Sequence, residues 1–225
     1  MKVLIFGATG MIGRGVLLEC VRDTGVERVV TMGRTTTGLQ DPKVREIVHG
    51  DLSDYSGMEI SLAGFDACFY CLGVASSGMK EAEYERITYG FTMAAAEMLG
   101  RVHPGMTFVF ISGSGTDSTE HGRLMWARVK GKTENALLRL PLNVYAFRPG
   151  FIQPLDGIES RTKLYRVFYK VLDPVMPLLR SLLPDQILST REIGQAMLAV
   201  TREGYKKRVL ETKDMRKVIS VKTQS

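Results

Sequence analysis

Short runs of β-branched and aromatic residues alternate along this chain with stretches in which apolar residues recur roughly every three to four positions. The runs at 3–6, 28–32, 46–49, 67–72, 107–112 and 143–148 have the length and composition of buried strands. Between them the spacing predicts helices near 11–23, 81–102 and 124–139. The crossover at 53–64, rich in Ser, Gly and Asp, predicts at most a short helix. Strands that alternate with helices pair in parallel, because each helical crossover returns the chain to the same edge of the sheet. Right-handed crossovers then build a doubly wound parallel α/β sheet with helices on both faces. After Gly150 the pattern changes: 163–172 is amphipathic and basic, prolines at 174 and 177 interrupt it, and a helix near 190–203 precedes a late strand at 207–210. Region 151–205 therefore reads as a small C-terminal substrate-binding lid on one domain spanning 1–225.

The first strand run leads directly into Gly7-Ala-Thr9-Gly10-Met11-Ile12-Gly13 and then into the first helical pattern. Strand, glycine turn and helix in that order form a dinucleotide-binding context. Gly7 permits the tight turn, Gly10 lets the backbone approach a pyrophosphate, and Gly13 lets the helix lie against the strand, with the anion at the helix N-terminus.

Composition narrows the picture. Three cysteines give no disulfide framework and suit a reducing compartment; Cys68-x-x-Cys71 lies within a strand run and reads as buried small hydrophobes rather than a redox pair. No run approaches the ~18 apolar residues of a membrane span, and the apolar N-terminus is cut by Gly7 and begins a strand, unlike a signal peptide. A soluble cytoplasmic protein is expected, with no integral membrane segment. The net charge of +6 suits an anionic ligand. No nucleic-acid motif accompanies the basic residues and no metal-ligand cluster is expected.

The second strand delivers its C-terminal end to the adenosine ribose, where an NAD-preferring site offers an acidic side chain about 20 residues past the glycines. Here the chain reads Gly33-Arg34-Thr35-Thr36. A guanidinium beside two hydroxyls suits the 2′-phosphate of NADP, so NADPH is favoured over NADH; Arg14 is a further candidate for the same phosphate. Asp51 and Leu52 follow the third strand, where Asp51 would accept from the adenine amine and Leu52 cover the ring. Leu72 and Gly73 end the fourth strand, where the backbone passes close to the middle of the cofactor.

Gly7-x-x-Gly10-x-x-Gly13, Asp51-Leu52, Cys71-Leu72-Gly73, Ile111-Ser112-Gly113-Ser114, Val129-Lys130-Gly131 and Arg148-Pro149-Gly150, in this order and spacing, resemble the short-chain dehydrogenase/reductase superfamily. The likeness runs over 1–152, about two thirds of the chain, and is to the atypical NAD(P)-binding branch with NmrA-like and epimerase-like proteins. The resemblance implies a Rossmann fold and a catalytic group of Ser, Tyr and Lys, the Lys four residues beyond the Tyr. Lys130 falls in the Lys position, which in the family lowers the Tyr pKa and holds the nicotinamide ribose of the cofactor, and Ser114 falls in the Ser position, with Ser112 one register earlier as an alternative. Arg148, Pro149 and Gly150 would lie toward the nicotinamide end, followed by Phe151 and Ile152. The Tyr position, however, is Trp126. An indole N–H only donates and has no pKa near neutrality, so it cannot shuttle a proton. Three alternatives stand: Tyr84, Tyr89 or His121 supplies the proton; a water held by Ser114 and Lys130 does; or the protein binds cofactor without turnover. The functional expectation is an NADPH-dependent reductase of a small apolar carbonyl compound. The alternative is a non-catalytic NADP(H)-binding redox sensor or regulatory module. A third class, a membrane-associated factor, would use 164–184, where Arg166, Lys170 and Arg180 are spaced among apolar residues. Oligomeric state is not legible.

Overall fold

The structure, a computed structural model, describes residues 1–158 and 186–221. Seven strands form one parallel sheet: β1 (Lys2–Phe6), β2 (Arg28–Gly33), β3 (Val44–Val48), β4 (Ala67–Tyr70), β5 (Thr107–Ile111), β6 (Asn143–Arg148) and β9 (Val209–Glu211). Their order is β3-β2-β1-β4-β5-β6-β9, so the winding direction reverses between β1 and β4. Loops leaving those two strands diverge there and open a crevice, the place where such sheets bind ligands. A second, two-stranded parallel sheet pairs β7 (Phe151–Gln153) with β8 (Ile187–Ser189).

Alternation along the strands separates two cores. Val3, Ile5, Phe69, Val109 and Phe147 face one layer, in which they cluster with residues of α1 (Met11–Arg22), α5 (Thr190–Glu203) and α6 (Thr212–Val221). Leu4, Phe6, Cys68, Tyr70, Phe108 and Phe110 face the other, where α3 (Phe91–Val102) supplies Met93, Ala96 and Leu99, and α4 (Met125–Leu137) supplies Leu137. With both faces covered, the central strands read as continuous apolar runs, which is why they were visible in the sequence.

Several expectations are corrected. The expected helix at 81–102 is three pieces, α2 (Glu81–Glu85), a π-helical turn Arg86–Gly90 and α3. The 53–64 crossover has no helix, because Asp51 and Asp54 accept from the backbone and hydroxyls of Ser53 and Ser56 and hold the chain in turns. The strand expected at 46–49 begins at Val44, the one expected at 67–72 ends at Tyr70, and the late strand is Val209–Glu211 rather than 207–210. Within the region expected as a lid, α5 belongs to the body of the fold. It starts with a capping box between Ser189 and Glu192 and packs so closely on α1 that a Cβ on Gly15 would lie 2.5 Å from Thr190 Cβ. The stretch 164–184, on which the apolar pocket and membrane readings rest, lies outside the described residues. Cys20 and Cys68 are buried and Cys71 partly so, all as free thiols.

Candidate functional site

The glycine loop is determined by backbone contact. Gly7 turns at φ +74°, in the left-handed region. A Cβ there would lie 2.6 Å from backbone atoms of Leu72, so the loops after β1 and β4 touch. Gly10 N–H donates to Gly7 O at 3.0 Å, and a Cβ on Gly13 would stand 2.2 Å from that same oxygen. The first turn of α1 is thereby pressed against the loop. No side chain caps α1 and no acidic residue occupies its first turn, so the positive end of the helix is uncompensated where a pyrophosphate would sit. The amides of Met11 and Ile12 belong to that turn, and the Ile12 side chain packs against the core.

A cleft of about 660 Å³ opens over this loop. Gly7, Thr9 and Gly10 line it from β1, Gly33, Arg34 and Thr35 from β2, Asp51 and Leu52 from β3, and Leu72 and Gly73 from β4. These sequence-predicted residues, scattered over more than sixty positions, meet because the carboxyl ends of neighbouring parallel strands lie at one edge. Arg34 has no acidic partner among the described residues. One oxygen of Asp51 accepts from Ser53 N–H at 2.9 Å and Ser53 Oγ at 2.5 Å, and these bonds hold its carboxyl below the usual range. Arg14 is differently placed: it donates to Thr37 O at 3.0 Å and lines a smaller cavity of about 310 Å³ with Thr9, Thr36 and Thr37.

The sequence reading missed Arg86, Ile87 and Phe91, which also line the cleft. They come from the π-helical turn and the start of α3, with the Arg86 guanidinium 5.6 Å above the Phe91 ring. A regular helix through 81–102 would rotate them elsewhere; the glycine at 90 was the only local sign of irregularity.

Lys130 and Trp126 lie one turn apart on α4 and share its face. Lys130 Nζ donates to Ser112 O at 2.6 Å and approaches Ile111 O at 3.5 Å, which anchors it to the end of β5. Burial pulls its pKa down to about 8, opposed by the Glu134 carboxylate. Gly113 passes beneath both side chains: a Cβ there would lie 4.0 Å from Lys130 Nζ and from Trp126 Cζ3. Ser114 is exposed, with its N–H held by Pro149 O at 2.9 Å. The Ser112 hydroxyl is buried and bonded to Thr116 Oγ1 at 2.8 Å, so of the two serines only Ser114 is exposed.

The cleft lining does not include Lys130, Ser114, Arg148, Pro149 or Gly150. The Arg148 guanidinium is engaged by Glu134 and by Ser118 Oγ at 2.6 Å, and its third neighbour is Glu211. Gly150 N–H donates to Thr212 Oγ1 at 2.9 Å. These groups connect β6 to α4, α6 and the small sheet.

Residues 3–124 match the NAD dependent epimerase/dehydratase family. The chain belongs to this family. It is 29% identical over 151 residues to Protein FMP52-2, mitochondrial, of Scheffersomyces stipitis, covering 66% of this chain and 65% of that protein. It is 27% identical over 159 residues to Protein fmp52, mitochondrial, of Emericella nidulans, covering 67% and 66%. The chain thus spans just under two thirds of the length of these relatives. The cytoplasmic location expected from composition is overturned by them, since both are named mitochondrial, and composition does not distinguish compartments. Among solved structures, UDP-N-acetylglucosamine 4-epimerase from Methanobrevibacter ruminantium M1 aligns at TM-score 0.69 and 15% identity, over 100% of this chain and 82% of that one. UDP-glucuronic acid 4-epimerase from Bacillus cereus, in complex with NAD, aligns at 0.65 and 16%, over 93% and 77%. These likenesses show the Rossmann fold of the epimerase family.

Proposed function

We propose that this family member binds NADP(H) in the cleft over its glycine loop and uses it to reduce a small apolar carbonyl compound. The observation that carries the reading is the meeting around one cleft of the uncompensated α1 terminus, the Asp51-Leu52 pair and Arg34, which has no acidic partner among the described residues. Gly7, Thr9, Gly10, Leu72 and Gly73 line the passage for the cofactor, the Met11, Ile12 and Gly13 amides lie toward its pyrophosphate, and Arg34 takes the 2′-phosphate. Leu52 and Ile87 offer apolar surface for the adenine. Bound cofactor would supply hydride; Ser114 would orient the carbonyl and Lys130 would face the reacting end. Arg148, Pro149 and Gly150 support that end from β6. The apolar composition of 164–184 supports an apolar substrate, and the relatives' names support a mitochondrial setting.

Calorimetric titration with NADPH and, separately, NADH tests the reading. NADPH binding at least about tenfold tighter is expected from one charge-assisted phosphate contact; equal affinities would remove the Arg34 assignment, and no binding of either would remove the reading. Trp126 in place of a phenol favours a second reading, a module that holds NADP(H) and reports its redox state to a partner without turnover. Tight NADPH binding with no NADPH oxidation across an aldehyde and ketone panel would establish it over the first.

A further inference from the structure

We infer that Arg86 is a second anion-binding residue of the cleft and holds the pyrophosphate of the bound dinucleotide together with the glycine loop. This rests on the NADP(H) reading above and gives a partner to a cation which that reading leaves unused.

The π-helical turn brings this cation to the cleft. In a regular α-helix, residues five apart point roughly 140° away from one another, so Arg86 and Phe91 would face different neighbours. Here Phe91 N–H donates to Arg86 O, the bond that defines a π turn, and the wider turn sets the guanidinium 5.6 Å above the Phe91 ring. Both residues line the cleft. The ring gives an exposed side chain a platform and uses up no hydrogen-bond donor. Arg86 makes no hydrogen bond or ion pair among the described residues, so the five N–H donors of its guanidinium are open to an anion. Glu81 and Glu85, on the preceding helix, are already paired with Arg128 and Lys132.

Strand order decides which anion Arg86 meets. The glycine loop follows β1, Arg34 follows β2, and Arg86 lies in the crossover from β4 to β5. Because β1 stands between β2 and β4, the two arginines enter the cleft from the two flanks of the glycine loop, and strands two places apart are separated by about 10 Å. A dinucleotide in such a crevice has its adenosine on the β2 side and its pyrophosphate at the helix N-terminus. With Arg34 assigned to the 2′-phosphate, the pyrophosphate is the anion on the flank of Arg86. The α1 terminus supplies roughly half a positive charge, less than the two negative charges of a pyrophosphate. Other cations are committed elsewhere. Arg14 donates to Thr37 O and lines the smaller cavity, and Lys130 is anchored on Ser112 O outside the cleft lining. Among the described residues that line the cleft, the cations are Arg34 and Arg86.

Calorimetry of the full chain with NADPH, NADH and adenosine 2′-phosphate, which carries the 2′-phosphate without a pyrophosphate, tests the assignment in the wild type, Arg86→Ala and Arg86→Lys. Arg86→Ala should weaken NADPH and NADH alike, by about tenfold for one lost charge-assisted contact, and leave adenosine 2′-phosphate within about twofold. Arg86→Lys should fall between, since it keeps the charge without the paired donors. The loss should shrink as salt is raised from about 0.02 M to about 0.5 M, because an exposed contact is screened. A loss confined to NADPH and adenosine 2′-phosphate would put Arg86 at the 2′-phosphate and overturn the proposal. An equal loss for all three ligands, a general disturbance of the cleft, overturns it as well. So does unchanged affinity for both cofactors, including the case in which only the KM of a carbonyl substrate rises. A wild type that binds neither cofactor overturns it together with the NADP(H) reading.

Discussion

The two ends of the candidate site are built on different principles. Around β1 and α1 the geometry is set by backbone pressed against backbone: Gly7 against Leu72, Gly13 against Gly7. Around β5 and α4 it is set by side chains reaching to backbone or to each other: Lys130 to Ser112 O, Arg148 to Glu134, Ser112 to Thr116. The first kind of contact excludes every residue but glycine, whereas the second tolerates exchange wherever a neighbour can compensate. The Trp126 indole packs over the glycine surface of Gly113 and Gly115, where a Cβ on Gly115 would lie 3.5 Å from the ring, so this end has room for a wide side chain.

This contrast breaks most readily at Gly13. Gly13→Val places atoms within 2.2 Å of Gly7 O, and the expected cost exceeds about 4 kcal/mol, enough to lose the cooperative thermal transition followed by circular dichroism. A folded Gly13→Val protein that still binds NADPH would show that the backbone contact is dispensable. At the other end, Glu134→Ala strands the Arg148 guanidinium, and denaturant unfolding should register a loss of about 3 kcal/mol, within what removal of one partner from a buried pair costs. A loss below about 1 kcal/mol would mean that Ser118 and Glu211 suffice for Arg148.

Arg34→Ala sharpens the contrast without touching stability. NADPH affinity should weaken by roughly 10- to 100-fold while NADH affinity stays within about twofold, read by calorimetry; a parallel loss of both would place Arg34 at the shared pyrophosphate instead. The smallest effect is expected at Tyr55, whose buried hydroxyl has no hydrogen-bond partner among the described residues. Tyr55→Phe should leave stability unchanged or raise it by up to about 1 kcal/mol, since removing an unsatisfied buried hydroxyl restores nothing to water that the fold had paired. A clear destabilisation would reveal a partner for that oxygen.

Much of this was legible in the chain. The glycine loop could be read because the spacing of its glycines between a strand and a helix is local, with Gly10 and Gly13 both packed against Gly7, although the contact of Gly7 with Leu72 was not visible. Strands β1, β2, β4, β5 and β6 could be read because burial on both faces leaves nearly continuous apolar runs, whereas the half-exposed edge strand β3 was placed two residues late. Arg34, Asp51 and Leu72 could be placed because each directly follows a strand, and parallel strands end at one edge. Other features were out of reach. Nothing local marks Arg86 as a cleft residue, because its direction depends on the extra residue in the π-helical turn. Helix α6 lies beyond the last element that the periodicity predicts, in a segment whose many charges obscure its apolar face.

What the sequence determined by itself was therefore the alternation of strands and helices from β1 to β6, the Rossmann topology and the glycine loop, which follow from short-range periodicity and spacing. What only the tertiary structure decided was which side chains share a cavity and which are already engaged. Arg34 and Arg148 are both arginines at strand ends, one without an acidic partner in the cleft and the other paired with Glu134. That difference depends on a carboxylate fourteen residues before Arg148 on a packed helix, a distance over which sequence spacing carries no geometry.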